Sequence, residues 1–150
     1  MRIISGKFKG KKILDPKDIK TRPLKDLTKE SIFNILVHSK KIKIDLENSN
    51  VLDLFSGVGS FGIECLSRGA QKVIFVENYQ GVLPILKRNL ESLKTIENYE
   101  IIVQDISKNL NFYNLDKKFD LIFLDPPYKD KIIQNIVTEI YNKKILKKNG

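Results

Sequence analysis

Apolar and polar residues follow two different periods along this chain, and the changes of period mark its elements. Ile32, Phe33, Ile35 and Leu36 fall at helical spacing and predict a helix from about Asp26 to His38. From Asn50 onward, short β-rich runs (Val51 to Phe55, Lys72 to Val76, Glu100 to Val103, Phe119 to Leu124) alternate with helical segments (Phe61 to Ser67, Val82 to Leu93, Ile132 to Ile145). Gly69 closes the first of these helices, and Pro84 fits the first turn of the second, where its missing N–H costs nothing. After Asp105 a weak helix or loop runs to about Leu115. Strands alternating with helices predict an α/β fold, a Rossmann-like, doubly wound parallel sheet with right-handed crossovers. Ahead of it, Arg2 to Leu14 is broken by Gly6 and Gly10 and reads as a basic β-hairpin or arm, with Pro16 and Pro23 keeping the next segment out of a helix. The expected division is an arm over residues 1–22 and a domain over 23–150.

The C-terminal pattern poses a difficulty. Leu146 to Gly150 reads as a helix end capped by Asn149 or Gly150, with no strand after it. A strand as apolar as Leu121 to Leu124 should have neighbours on both sides, because an open edge is an aggregation hazard. The expectation is therefore a truncated form of a longer domain, with later strands missing.

Composition narrows the class. With 41% hydrophobic and 30% charged residues the chain is globular rather than disordered. No apolar run approaches the ~20 residues of a membrane span, and Met1 to Gly10 lacks a signal-peptide core, so a cytoplasmic protein is expected; it is also expected to be a monomer. The single cysteine, Cys65, excludes an internal disulfide framework and a multi-cysteine metal site; it reads as a small buried hydrophobe, and no metal is expected. His38, the only histidine, has no acid beside it and reads as a solvated helix end.

The net charge of +9 is unevenly spread. Residues 1–30 carry ten basic and four acidic side chains, residues 31–128 eleven and twelve, and residues 129–150 six and two. Only four basic residues are arginines, and the abundance of Lys, Asn and Ile also fits a biased genomic base composition. The basic ends around a neutral body fit a polyanionic partner better, and nucleic acid is the default.

Candidate chemistry sits where strands end. Phe119 to Leu124 runs into Asp125-Pro126-Pro127-Tyr128, whose prolines stop the ladder and hold an acid at the carboxyl edge of the sheet. A carboxylate, a proline carbonyl and an aromatic face suit a planar ring with an amino group. A plain strand-ending turn has the same composition. Between strand and helix, Gly57-Val58-Gly59-Ser60-Phe61-Gly62 matches G-x-G-x-x-G, which nicotinamide, flavin and S-adenosylmethionine sites all use. Asp53, just before it, would repel a pyrophosphate and attract an amino group. Glu77 follows Gly57 by twenty residues, where a carboxylate can accept from both ribose hydroxyls, and Asp105 ends the third strand, placed to accept from an adenine amino group.

On these residues the chain resembles the Rossmann-like S-adenosylmethionine-dependent methyltransferases, and more narrowly the bacterial RsmD family, which methylates N2 of a guanine in 16S ribosomal RNA. The resemblance covers nearly the whole chain. It rests on ISGKFKGKKI near the start, Thr21 to Pro23 (TRP) followed by Lys29 to Leu36 (KESIFNIL), Val51 to Ala70, Val73 to Asn78 (VIFVEN), Gln104 to Ile106 (QDI) and FDLIFLDPPY. The resemblance implies that Asp53, Phe55, Ser56, Gly57 and Gly59 surround the methionine moiety, that Glu77 with Asn78 holds the ribose, and that Asp105 and Ile106 meet the adenine. It further implies that Asp125, Pro126, Pro127 and Tyr128 hold the target base, while Arg2, Lys7, Lys9, Lys11, Lys12 and Arg22 contact RNA or position the N-terminal loop. Tyr79 stands where the family tends to have a second acid, and Leu27 and Thr28 stand where an arginine and an apolar residue are usual. The implied partner is 16S ribosomal RNA or a small-subunit assembly particle. An N6-adenine DNA methyltransferase and a non-catalytic RNA-binding or ribosome-assembly module are the alternatives; a nicotinamide dehydrogenase is disfavoured by Asp53.

Overall fold

The structure is a computed structural model and describes residues 1–16, 24–40, 42, 44–94, 97–108, 118–126, 130–148 and 150. Within them β1 (Asn50–Leu54), β2 (Lys72–Glu77), β3 (Tyr99–Val103) and β4 (Leu121–Leu124) form one parallel sheet in the order β3-β2-β1-β4. The helices are α1 (Asp26–His38), α2 (Ser60–Ser67), α3 (Leu83–Glu91) and α4 (Asp130–Asn142). The strand–helix alternation read from the sequence is therefore the fold.

The two central strands are apolar at almost every position because both faces are covered. Val51, Val73 and Phe75 pack with residues of α1, α2, α3 and the N-terminal hairpin, while Leu52, Leu54, Ile74 and Val76 pack with Ile136 of α4 and with Ile106. Successive strand residues point to opposite faces, so this division is the pleat expressed as two cores. A stack of rings crosses the first core. Phe33 lies 5.0 Å from Phe61, which lies 3.8 Å from Phe123 of β4, and the Arg68 guanidinium covers the outer face of Phe33.

Several details differ from the sequence reading, among them the start of β4 at Leu121 instead of Phe119 and the end of α3 at Glu91 instead of Leu93. Strand β1 stops at Leu54 because Phe55 adopts a left-handed φ of 60° and begins the turn. On α1, Ile35 is 57% exposed whereas Lys29 is fully buried, so the inward stripe is rotated from the one that apolarity alone implied. Helix α4 ends at Asn142, not Ile145. Lys144 takes φ 51°, its N–H donates to the Tyr141 carbonyl, and the Ile145 N–H reaches the Ile140 carbonyl, a Schellman closure built on a lysine instead of a glycine.

That closure corrects the expectation that nothing follows the helix beside β4. The chain turns back, Phe119 N–H donates to Ile145 O (2.8 Å) and Lys147 N–H to Phe119 O (2.9 Å), forming a parallel bridge between Phe119 and Leu146. Burial of Ile145 in the second core drives this return. Beyond the bridge, the outer edge of β4 borders a groove of about 250 Å³ lined by residues including Ile122, Leu124, Val137 and Ile140.

The N-terminal segment is a hairpin, as expected. Arg2 pairs antiparallel with Lys12, and Ile3 N–H donates to Lys11 O at 2.9 Å. It is not a detached arm, however, since Ile3 and Ile13 are buried in the first core. Gly6 is required at its tip. At φ 80° a Cβ there would lie 1.9 Å from Ser67 O, the end of α2, which accepts the Lys7 N–H at 2.7 Å.

Candidate functional site

The turn after β1 has two linked constraints. Phe55, Gly57 and Gly59 all have positive φ, and Gly59 N–H closes the turn onto Ser56 O at 2.8 Å. A Cβ on Gly59 would meet Leu86 Cδ1 at 2.6 Å, so the glycine serves packing as well as conformation. The Ser56 hydroxyl is buried and has no hydrogen-bond partner among the described residues. An unsatisfied buried hydroxyl costs about 1–3 kcal/mol, a cost that a ligand donor or acceptor removes.

Asp53, 1% exposed, lies beneath the start of α2 and accepts the Gly62 N–H at 3.0 Å. Gly62 is the third residue of α2, so Asp53 satisfies one of the helix's orphan donors from a neighbouring strand. Desolvation raises its carboxyl to about 8; the Gly62 bond opposes this, and repulsion from Asp125 and Glu77 adds to it. The register places them together: Leu54 pairs with Val76 of β2 and with Leu124 of β4, so Asp53, Glu77 and Asp125 lie at the carboxyl ends of three adjacent strands. Asp125 itself stands just past β4 with its side chain exposed, and partial desolvation raises its pKa too.

Glu77 acts as a clasp. One oxygen accepts the Gly57 N–H at 2.7 Å, and the other accepts those of Asn78 (2.8 Å) and Tyr79 (2.9 Å). A carboxylate has about four acceptor positions, so three bonds hold the loop and one position remains. Asn78 is exposed beside it. Asp105 is built differently. Its Oδ1 closes a local turn by accepting from Ser107 N–H (3.1 Å) and Oγ (2.6 Å), and that hydroxyl bond chiefly lowers its pKa. Ile106 is buried in the second core beside Leu54 and Val76, and Phe55 packs against the same cluster. The structure thus brings Asp53, Ser56, Gly57, Gly59, Glu77 and Asp125 together, and Asp105 is not among the charges acting on Asp53. Pro126 follows Asp125, half-buried. Pro127, Tyr128 and Arg22 lie outside the described residues.

Arg2, Lys7, Lys9 and Lys12 are exposed on the hairpin, with Lys7 Nζ 5.5 Å from the Phe8 ring centroid. Lys11 differs: its ammonium donates to the Ser92 carbonyl, which ties the hairpin to the end of α3.

Three polar residues escaped the sequence reading. Glu64, fully buried, accepts from Ile4 N–H (2.8 Å), Ser5 N–H (2.9 Å) and Arg68 Nε (2.9 Å), with Lys29 Nζ at 3.7 Å. Lys29 donates to Arg2 O at 2.8 Å and reaches Ser60 Oγ at 3.4 Å; burial lowers its pKa while Glu64 and Asp26 oppose that shift. Asn89 joins Leu14 to Val58. The available signal was a polar residue on an apolar face: Asn89 shares its helical face with Ile85, Leu86 and Leu90, and Lys29 lies one turn before Phe33.

Among the described residues no group of three or more His, Cys, Asp or Glu could hold a metal ion, and no helix is long and apolar enough to cross a membrane. Residues 1–150 match the model of a family described as Conserved hypothetical protein 95. The chain is 37% identical to the ribosomal RNA small subunit methyltransferase D of Buchnera aphidicola (strain APS), aligning 99% of this chain with 73% of that protein. The namesake from Haemophilus influenzae is 35% identical over all of this chain and 75% of its own length. Among solved structures, a Haemophilus influenzae protein described as a methylase superposes with a TM-score of 0.66 at 32% identity, covering 94% of this chain and 72% of that one.

Proposed function

The chain belongs to the small-subunit ribosomal RNA methyltransferase D (RsmD) family, and on that premise we propose that it methylates the exocyclic N2 amino group of a guanine in 16S ribosomal RNA. S-adenosylmethionine supplies an electrophilic methyl group on a sulfonium. The observation that carries the reading is the grouping of Asp53, Glu77 and Asp125 around a glycine turn that contains an unpartnered, buried Ser56 hydroxyl. These residues fit the donor. Asp53 offers a carboxylate to its α-ammonium, Ser56 a free hydroxyl to its polar end, and Glu77 the remaining acceptor position to a ribose hydroxyl.

Methyl transfer to an amine depends on alignment more than on acid–base power. The lone pair of an exocyclic amine is conjugated with its ring, so the site must hold the amine in the geometry that frees it. In this reading Asp125 and the Pro126 carbonyl accept hydrogen bonds from the two amino N–H groups, Asp125 stabilises the positive charge growing on nitrogen as the sulfonium C–S bond breaks, and one of the two protons is then lost to leave N2-methylguanine. Tyr128 stacks on the extruded base. Arg2, Lys7, Lys9 and Lys12, with Arg22, contact RNA phosphates; Phe8 adds a ring to the same surface. The protein acts in the cytoplasm, as a monomer, on the small subunit or its RNA.

The test is Asp125→Asn, which keeps shape and removes charge. Mass spectrometry of small-subunit RNA incubated with protein and cofactor should show N2-methylguanine with the parent protein and a loss of at least about 100-fold in rate with the variant, RNA binding being retained. Methylation at the parental rate removes Asp125 from this role, and methylation only at adenine N6 replaces the proposed substrate.

A further inference from the structure

We propose that Asn89 is a positioning residue that couples the two halves of this site, so that cofactor on the glycine turn and RNA on the basic hairpin strengthen each other's binding. The inference rests on the functional reading above and adds an energetic link that neither half shows alone.

The link is geometric. Asn89 is 3% exposed, on α3. Its Nδ2 donates to Val58 O (3.0 Å) and Leu14 O (3.2 Å), and its Oδ1 accepts the Leu14 N–H (2.8 Å). Two donors meet two carbonyls and the acceptor meets an N–H; the amide turned end for end would lose all three bonds. Val58 stands between Gly57 and Gly59, both at positive φ, in the middle of the cofactor turn. Leu14 is where the chain leaves the hairpin, directly after Ile13, whose N–H is bonded to Met1 O. One amide therefore fixes the carbonyl of the turn and the exit of the hairpin together.

The other end of the hairpin has a matching contact. Lys29 donates to Arg2 O and reaches the hydroxyl of Ser60, the first residue of α2. Both strands of the hairpin are thus referenced to the segment 58–60. A ligand that immobilises that segment also immobilises the hairpin, so the second ligand does not meet the same ordering cost. By linkage the effect is reciprocal: RNA must tighten cofactor binding by the same factor as cofactor tightens RNA binding.

The experiment is equilibrium dialysis of radiolabelled S-adenosylhomocysteine, which binds without turnover, with and without saturating small ribosomal subunits carrying unmethylated RNA. For the parent protein the dissociation constant should fall by a factor in the range of about 5 to 150 when subunits are added. Asn89→Ala should bind both ligands with that ratio near one, a water replacing the amide among the three polar groups. Leu14→Pro deletes the N–H donated to Asn89 at a residue whose side chain is 50% exposed, and also fixes φ at 14 and restricts Ile13; in the variant shown by circular dichroism to keep the parental fold, the ratio should fall even if Asn89→Ala does not fold. Hydrogen exchange gives a readout that a merely structural role would not move: S-adenosylhomocysteine alone should slow exchange of the Leu14 N–H in the parent protein and not in Asn89→Ala. Equal affinity with and without subunits in the parent protein, or an unchanged ratio in the folded variants, overturns the coupling and leaves the proposed function standing. Failure of the parent protein to bind either ligand overturns both.

Discussion

A carboxylic acid that titrates near 8 and faces a ligand ammonium makes binding a proton-releasing event. Asp53 is that group, raised chiefly by burial and further by Asp125 and Glu77. At pH 7 a group of pKa about 8 is roughly nine-tenths protonated. An ammonium at salt-bridge distance holds the carboxylate ionised, so association at pH 7 should release close to one proton. The sign follows from linkage: the free protein binds more protons than the complex, so affinity rises with pH below the free pKa and levels off above it. Between pH 6 and 7 the association constant for S-adenosylhomocysteine should rise about tenfold, and above about pH 8 it should stop rising and then fall as the ligand's α-ammonium loses its proton. Titration calorimetry at pH 7 in phosphate and in Tris measures the release directly, because the two buffers differ in ionisation enthalpy. Asp53→Asn still accepts the Gly62 N–H but cannot ionise, and should bind with no proton release and no pH dependence in this range. Buffer-independent enthalpy with flat affinity from pH 6 to 8 in the parent protein would refute both the ligand assigned to Asp53 and the origin of its raised pKa.

Other expectations test the scaffold. Glu64→Gln leaves the buried Lys29 ammonium without its main charge partner and should cost about 3–5 kcal/mol in urea unfolding; a loss under about 1 kcal/mol would mean that Lys29 is held by its other contacts. Gly6→Ala forces a φ of 80° on a residue with a Cβ and breaks the approach to Ser67, so a loss of at least about 2 kcal/mol is expected; an unchanged midpoint would show that the hairpin contributes little to stability. Replacing Lys7, Lys9 and Lys12 together by Gln should reduce the magnitude of the log–log salt slope of RNA binding by about 0.7 for each phosphate no longer neutralised; an unchanged slope would exclude these lysines from the RNA interface. Substitution is the right probe here, because deleting the hairpin would also remove Ile3 and Ile13 from the core.

What the sequence determined by itself was local. The strand–helix alternation, the glycine turn after Asp53, and the placement of Glu77 at the end of β2, Asp105 just past β3 and Asp125 just past β4 all depend on residues close together in the chain. Turn chemistry and periodicity report such order directly. Even there the limits were physical: Phe55 takes a left-handed φ without being glycine, and Lys144 closes α4 in the same way, because the packing of Phe55 itself and of Ile145 in the second core outweighs a modest local strain.

Only the tertiary structure decided which polar residues face inward and what they join. Ile4 and Glu64 are 60 positions apart, and Leu14 and Asn89 are 75 apart. No local pattern encodes such a partner, and a buried lysine or asparagine is tolerable only once its partner arrives. The basic segment that reads as an arm became a structural member for the same reason. Ile3 and Ile13 fill part of the first core, and the segment's backbone is held by Glu64, Lys29 and Asn89 against the turn where the cofactor is expected to bind.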